Sequence, residues 1–415
     1  MYRVWYSTEG FADYIIENTI LKKERHLLKS KLYESDANNP RRFHTMPDHI
    51  RKILYLDAPD IIVEKDKDPI FSIEISREAG TGQNPFQRFA RIAASVENNV
   101  PAIYIYPEAV IVGRKESTCR WDKINPLIFK ALNDVMRIYK IPALLYYFPS
   151  DYRACPNNPK ESLNFKSKGL RLEKKVCFAD CPDSNDSNMK NLFECINEII
   201  RVVEEKGLVD GRQDLLSNLV IRQQMDYNDR EYYSKSANAS PDEMSPLSAT
   251  VTIPTKYLIN YLSQYNTKNY TIGELLNSRE ETVLYQVDAK FRGDPYSGAL
   301  SAIDYLKCRE KKTFEDRRRN LVLVFGKITV DKNNKTIVVT NTEGTSIKDF
   351  FEAVQSCKER DLLGKNYEDL RAQDIPRYLM QVRYGSTYSK VKHIRVYSYF
   401  SDAILFPDGS LWRDN

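Results

Sequence analysis

Two pairs of residues in this chain have the types and spacing to do chemistry on a metal ion. In the first, Asp60 follows Pro59 at the edge of the apolar run Ile61-Ile62-Val63, and thirteen residues separate it from Glu74, inside Phe71-Ser72-Ile73-Glu74-Ile75-Ser76. Burying a carboxylate in such a strand costs several kcal/mol unless it is paired or bound to a cation. Two acids on adjacent strands converging on one Mg²⁺ would remove that cost. They would also provide what phosphodiester hydrolysis needs, which is charge neutralisation at the phosphate and a hydroxide near neutral pH. The plain alternative is that Asp60 caps a turn and Glu74 sits on a solvent-facing side of its strand. In the second pair, the apolar run Val283 to Val287 ends in Asp288-Ala289-Lys290-Phe291-Arg292. A lysine beside a metal-bound carboxylate can hold or help deprotonate water, whereas its plain role is a salt bridge to Asp288. Glu274, fourteen residues before Asp288, is the best-placed second acid there; Glu280 and Glu281 lie too near the strand start.

The elements that must position these groups follow from periodicity. Apolar residues from Phe11 to Leu32 recur at helical spacing and predict an amphipathic opening helix. Strands are predicted for Ile53 to Val63 with interruptions, Ile70 to Ile75 and Ala102 to Tyr106, from their β-branched and aromatic content. Asn84 and Pro85 open a helix whose face is Phe86, Phe89, Ala90, Ala93 and Val96. A helix from Pro126 to Tyr139 and a strand from Pro142 to Phe148 complete an α/β domain over 1–150. Residues 149–190, rich in Pro, Asn, Asp, Ser and Lys, read as irregular. Helices at Leu192 to Lys206 and Leu208 to Met225, with a polar linker from Asp226 to Pro246, make 151–246 a joining segment. A second α/β domain is expected over 247–415, with strands at Thr282 to Val287 and Leu321 to Phe325, a helix near Gly298 to Arg309, and a hairpin from Val396 to Trp412 around Pro407-Asp408-Gly409.

Pro59-Asp60, a hairpin-length gap, Glu74 and the following αβ unit resemble the PD-(D/E)XK nuclease superfamily, which includes most type II restriction endonucleases. The resemblance covers roughly residues 10–107. It implies a restriction-endonuclease-like mixed sheet flanked by helices, with Asp60 and Glu74 as Mg²⁺ ligands. The family's lysine two residues after the second acid is Ser76 here. Arg77, Gln87 or a carboxylate from the first helix must then do its work, or the site is weakened. The strand ending in Asp288-x-Lys290, with the helix and strand after it, resembles the second half of the same core and has the lysine but no upstream Pro-Asp hairpin. Two nuclease-like units, incomplete in opposite ways, are therefore expected. The function they imply is Mg²⁺-dependent cleavage of duplex DNA, with a non-cleaving DNA-binding protein or a nuclease for RNA or single strands as rivals.

Phosphate contacts are expected from Arg77, Arg88 and Arg91 beside the first site, and from Arg292, Arg317, Arg318 and Arg319 beside the second. The last three close the densest basic stretch, with Lys307, Arg309, Lys311 and Lys312. The segment Gly80 to Asn84 offers backbone donors at a helix start. Bulk charge argues nothing, since 62 basic against 57 acidic residues leave only +5. Seven cysteines at irregular spacing, without paired CxxC ligands, predict reduced thiols rather than disulfides or zinc. The four histidines form no HExxH, and neither a P-loop nor GxGxxG occurs. With no apolar run of membrane length and no signal-like start, the expected address is the cytoplasm. A homodimer is allowed but not specified.

Overall fold

Strands form where apolar residues run continuously, and helices where they recur every three or four positions. The computed structural model describes residues 1–33, 45–54, 58–78, 84–115, 118–239, 250–265, 277–287, 318–340, 402–405, 409 and 411–413. These fall into two compact units, one of the described residues up to 239 and one of those from 250 onward.

The first unit opens with strand β1 (Tyr2–Tyr6), helix α1 (Glu9–Glu17), a short 3-10 turn and strand β2 (Leu28–Lys31). The single opening helix expected from Phe11 to Leu32 is thus divided, because Asn18 and Thr19 turn their side chains back onto the carbonyls of Tyr14 and Ile15. Helix α2 (Asp48–Leu54) takes the start of the run read as a strand from Ile53. Strands β3 (Ile61–Lys65) and β4 (Asp68–Ile75), helix α3 (Asn84–Glu97) and strand β5 (Ala102–Pro107) follow as the periodicity predicts. A hairpin, β6 (Ala109–Lys115) and β7 (Thr118–Lys123), precedes helix α4 (Leu127–Tyr139) and strand β8 (Ala143–Phe148).

The main sheet has the order β2-β1-β3-β4-β5-β8. β1 and β2 are parallel, β3 is antiparallel to β1 and β4, and β4, β5 and β8 are parallel. Parallel neighbours need crossovers, which α3 and α4 supply. β5 and β8 are buried along their whole length, as strands covered on both faces must be. One face meets α3 through Ser72 and Ser95 and α4 through Tyr147 and Phe129. The other meets helix α5 (Ser187–Lys206), whose Cys195 lies against Tyr146. Helices α6 (Leu208–Asp214) and α7 (Leu219–Ala237) follow, and Gln224 of α7 donates to the carbonyl of Leu145 at 2.6 Å. The segment read as a joining region therefore packs onto the first sheet. Helix α7 also extends across most of the expected polar linker, because its contacts with the sheet outweigh its weakly amphipathic sequence.

In the second unit, strand β9 (Thr250–Pro254), helix α8 (Thr255–Leu262), strand β10 (Glu281–Val287), strand β11 (Arg319–Phe325), a hairpin of β12 (Lys327–Asp331) and β13 (Thr336–Thr340), and short strands β14 (Ala403–Leu405) and β15 (Leu411–Arg413) are described. Its sheet runs β15-β14-β11-β10-β9, with β9 antiparallel to β10 and β10, β11 and β14 parallel. β14 and β15 pair as the expected hairpin, and Gly409, at φ +80° against the Tyr265 ring, leaves no room for a Cβ. The expected helix from Gly298 to Arg309 lies outside the described residues.

A polar network fills the start of β10 and β11. Arg279 donates to Asn320 Oδ1 at 3.0 Å and pairs with Asp402, whose Oδ2 accepts the Leu321 N–H at 2.8 Å. Thr255 and Thr282 join at 2.9 Å, and all five residues are buried. Arg279→Met should lower the stability of this unit by about 2–3 kcal/mol, since Asp402 loses its buried cationic partner. Denaturant unfolding followed through this unit checks it, and an unchanged midpoint would contradict it.

Candidate functional site

The position of the first acid pair is set by one turn and one bulge. Asp66 and Lys67, both left-handed at φ 51° and 71°, form a two-residue turn that closes β3 and β4 with Lys65 opposite Asp68. Continued unchanged, that register would set Asp60 against Ile73. A register shift between Val63 and Glu64 instead pairs Ile61 with Ile73, so the next position outward sets Asp60 against Glu74. Asp60 Oδ2 accepts the backbone N–H of Ile75 at 2.9 Å, which ties it to the end of β4.

Glu74 is 2% exposed. Arg91 Nη1 donates to both of its carboxylate oxygens at 2.8 Å. Arg88 Nη1 donates to Glu74 Oε1 and, at 2.5 Å, to the carbonyl of Ile75. Burial pushes the Glu74 carboxyl up, to about 7, against the pull of Arg91 and Arg88, and the Asp60 carboxylate opposite raises it further. Tyr104 stands beside Glu74 in the β4–β5 register and is fully buried, and its hydroxyl finds no hydrogen-bond partner among the described residues.

Two polar stripes meet here. Ser72, Glu74 and Ser76 alternate with Phe71, Ile73 and Ile75 along β4, while Arg88, Arg91 and Ser95 share a face of α3. Ser72 Oγ donates to Ser95 Oγ at 2.8 Å, continuing the contact that Glu74 makes with the arginines. That coincidence of a two-residue and a helical polar period was the available signal that Arg88 and Arg91 face Glu74 rather than solvent. Ser76, in the family's lysine position, is 1% exposed and turned into the local backbone, its Oγ donating to the carbonyl of Glu78 at 3.1 Å.

Glu108 went unnoticed in the sequence. It directly follows β5, at the same end of the sheet as Glu74, and accepts from Lys235 Nζ at 2.7 Å and Arg153 Nε at 2.8 Å. Burial alone would raise its carboxyl, but Arg153 and Lys235 hold it below the ordinary range. Arg77, expected at phosphate, pairs with Asp180 at 3.1 Å, both side chains exposed. Arg318 is exposed, and Arg319 pairs with Glu281 at 2.9 Å. Glu274, Asp288, Lys290, Arg292 and Arg317 lie outside the described residues, as does the segment 79–83.

The acceptors of Arg88 are oxygens, a Glu74 carboxylate oxygen and the Ile75 carbonyl, with Tyr104, Arg91 and Asp60 within electrostatic reach. Oxygen donors are what Mg²⁺ takes, commonly one or two carboxylates with water completing the shell. The unpartnered Tyr104 hydroxyl adds a buried polar group that bound water could satisfy. The residues therefore fit a hydrated divalent cation in kind. No group of three or more His, Cys, Asp or Glu side chains among the described residues is placed to hold a metal ion, so the protein share of such a shell is two carboxylates and a carbonyl. The described cysteines Cys119, Cys155, Cys177, Cys181 and Cys195 are free thiols. No helix among the described residues is long and apolar enough to cross a membrane.

The described residues make a mixed α/β protein, its larger sheet covered by helices on both faces, with a buried carboxylate–arginine cluster at the carboxyl end of β4. No family model, curated protein or solved structure matches the chain.

Proposed function

We propose that the chain is a Mg²⁺-dependent endonuclease of the type II restriction kind, built on PD-(D/E)XK-like cores and hydrolysing phosphodiester bonds in duplex DNA. The observation that carries this reading is the register that sets Asp60 against Glu74 beside the carbonyl of Ile75. The order of elements adds support, since a hairpin followed by a helical crossover to a parallel strand is what the resemblance implies. The second unit repeats one antiparallel and two parallel pairings, β9 with β10, β11 and β14, as β3 with β4, β5 and β8.

Asp60, Glu74 and the Ile75 carbonyl hold the ion in this reading. The chemistry a divalent cation supplies when bound is charge neutralisation at the scissile phosphate and a hydroxide near neutral pH. Arg88 and Arg91 orient Glu74 and are the nearest described cations for a phosphate. They cannot replace the missing lysine as a base, because a guanidinium does not give up its proton in this range. Cleavage of plasmid DNA by the full chain with Mg²⁺, and its loss in EDTA, tests the proposal; competition with RNA and single-stranded DNA tests the substrate.

A second reading is a non-cleaving DNA-binding protein on the same folds. It is favoured by the two arginines that take both Glu74 oxygens and by the inward turn of Ser76. DNA binding that survives EDTA, with no cleavage at any Mg²⁺ concentration, would establish it.

The role of the second unit separates by variants. If Asp288 and Lys290 act on a metal and its water, Asp288→Ala and Lys290→Ala should lower the cleavage rate by about 10³-fold or more at unchanged DNA affinity. If they only grip DNA, Lys290→Ala should weaken affinity and reduce the salt slope by about one phosphate's share. Wild-type rate, affinity and slope in both variants would leave a surface salt bridge.

A further inference from the structure

Arg88 makes an unusual pair of contacts for an arginine on a helix. A single nitrogen, Nη1, bonds both the Glu74 carboxylate and the main-chain carbonyl of the next residue, Ile75, while Asp60 lies within electrostatic reach. These are the oxygens that would hold a divalent ion in the reading above. Arg91 spans the carboxylate instead, its Nη1 donating to both Glu74 oxygens. A guanidinium and a divalent ion cannot share that position, since both need the same lone pairs and like charges repel.

We infer that Arg88 is a resident counter-cation occupying the metal position, and that a divalent ion enters only as nucleic-acid phosphate draws the Arg88 guanidinium off Glu74 and Ile75. This rests on the nuclease reading of the Asp60–Glu74 pair. Three observations support it. Arg88 comes from the first turns of α3, about four residues past a stretch that begins the helix, so its side chain starts near the surface and remains about a quarter exposed. Arg91 keeps Glu74 paired when Arg88 leaves, so release does not strand a buried carboxylate. The buried Tyr104 hydroxyl beside Glu74, without a partner among the described residues, becomes satisfiable once water enters with the ion. Two guanidiniums already face the two carboxylates, so a divalent ion entering without phosphate would leave an excess of positive charge. Metal and DNA should therefore bind cooperatively, and by linkage each must strengthen the other equally.

The test is Mn²⁺ binding to the full chain, read from the free-ion electron paramagnetic resonance signal, with and without duplex DNA, in wild type, Arg88→Met and Arg88→Gln. Wild type should bind Mn²⁺ weakly alone and about 5–150-fold more tightly with DNA. Either variant that folds should bind Mn²⁺ tightly without DNA, lose most of that cooperativity, and lose Mn²⁺ again when Asp60→Asn is added. Variants that bind Mn²⁺ no better than a wild type that cleaves DNA would overturn the role of Arg88 and leave the nuclease reading standing. Absence of both Mn²⁺ binding and cleavage in every chain would overturn the nuclease reading itself. Failure of both Arg88 variants to fold would also overturn the inference, since a side chain that must leave its place in each cycle cannot be one the fold requires.

Discussion

Glu74→Ala is expected to abolish Mg²⁺-dependent cleavage and also to lower the unfolding free energy of the first unit by about 3 kcal/mol. The second effect separates this position from a simple ligand. Alanine removes the shared acceptor of Arg88 and Arg91, whose side chains are 26% and 17% exposed, and leaves a small void beside Tyr104. Guanidiniums in that setting recover little hydration, so their partner's loss costs more than the pair contributed. Adding Arg88→Met and Arg91→Met to Glu74→Ala should restore much of the stability, because an ion cluster replaced as a whole by apolar side chains strands no charge. Urea unfolding of the three chains measures it. Equal midpoints for the single and the triple variant would show that the void, not the stranded charge, dominates.

Legibility from sequence followed the length scale of the signal. The apolar runs of β4, β5 and β8 and the amphipathic α3 and α4 were readable because burial fixes their periodicity locally. The strands β1 and β2 were not, since Tyr2 to Tyr6 and Leu28 to Lys31 gain strand form only from their neighbours in the sheet. Asp60 and Glu74 could be named from Pro-Asp and an acid in an apolar strand, yet what brings them together is a bulge between Val63 and Glu64 that no residue type announces. Arg88 and Arg91 were picked out for a phosphate because they stand beside a candidate site, and their contact with Glu74 was not foreseen. Their i, i+3 spacing matched the alternation of Ser72, Glu74 and Ser76, a relation that becomes visible only when helix and strand are considered as facing surfaces. Glu108 depends on Lys235, 127 residues away, and no local pattern could have paired them.

Asp60→Asn is the variant expected to separate chemistry from architecture. Asparagine keeps an oxygen that can accept the Ile75 N–H, so the end of β4 stays tied and folding is retained. What is lost is a negative charge at the proposed metal position, and the cleavage rate should fall by about 10³-fold. DNA affinity and its salt dependence, measured without a divalent ion, should not change, because neither then rests on a carboxylate. The variant also has a pH signature with a definite sign. Glu74 in the folded protein holds its proton up to about 7, against an ordinary value of 4.5, and Asp60 is one cause of the rise. A carboxyl whose folded value is raised contributes stability that is full below its unfolded value and is lost as pH rises through the folded one. Removing the Asp60 charge lowers the Glu74 value, so stability in Asp60→Asn should fall less than in wild type between about pH 4.5 and about pH 8. Unfolding midpoints at those two pH values, with plasmid cleavage at neutral pH, supply the measurement. Wild-type cleavage by the variant would remove Asp60 from the chemistry, whereas an unchanged pH dependence would mean that Asp60 and Glu74 do not sense each other's charge.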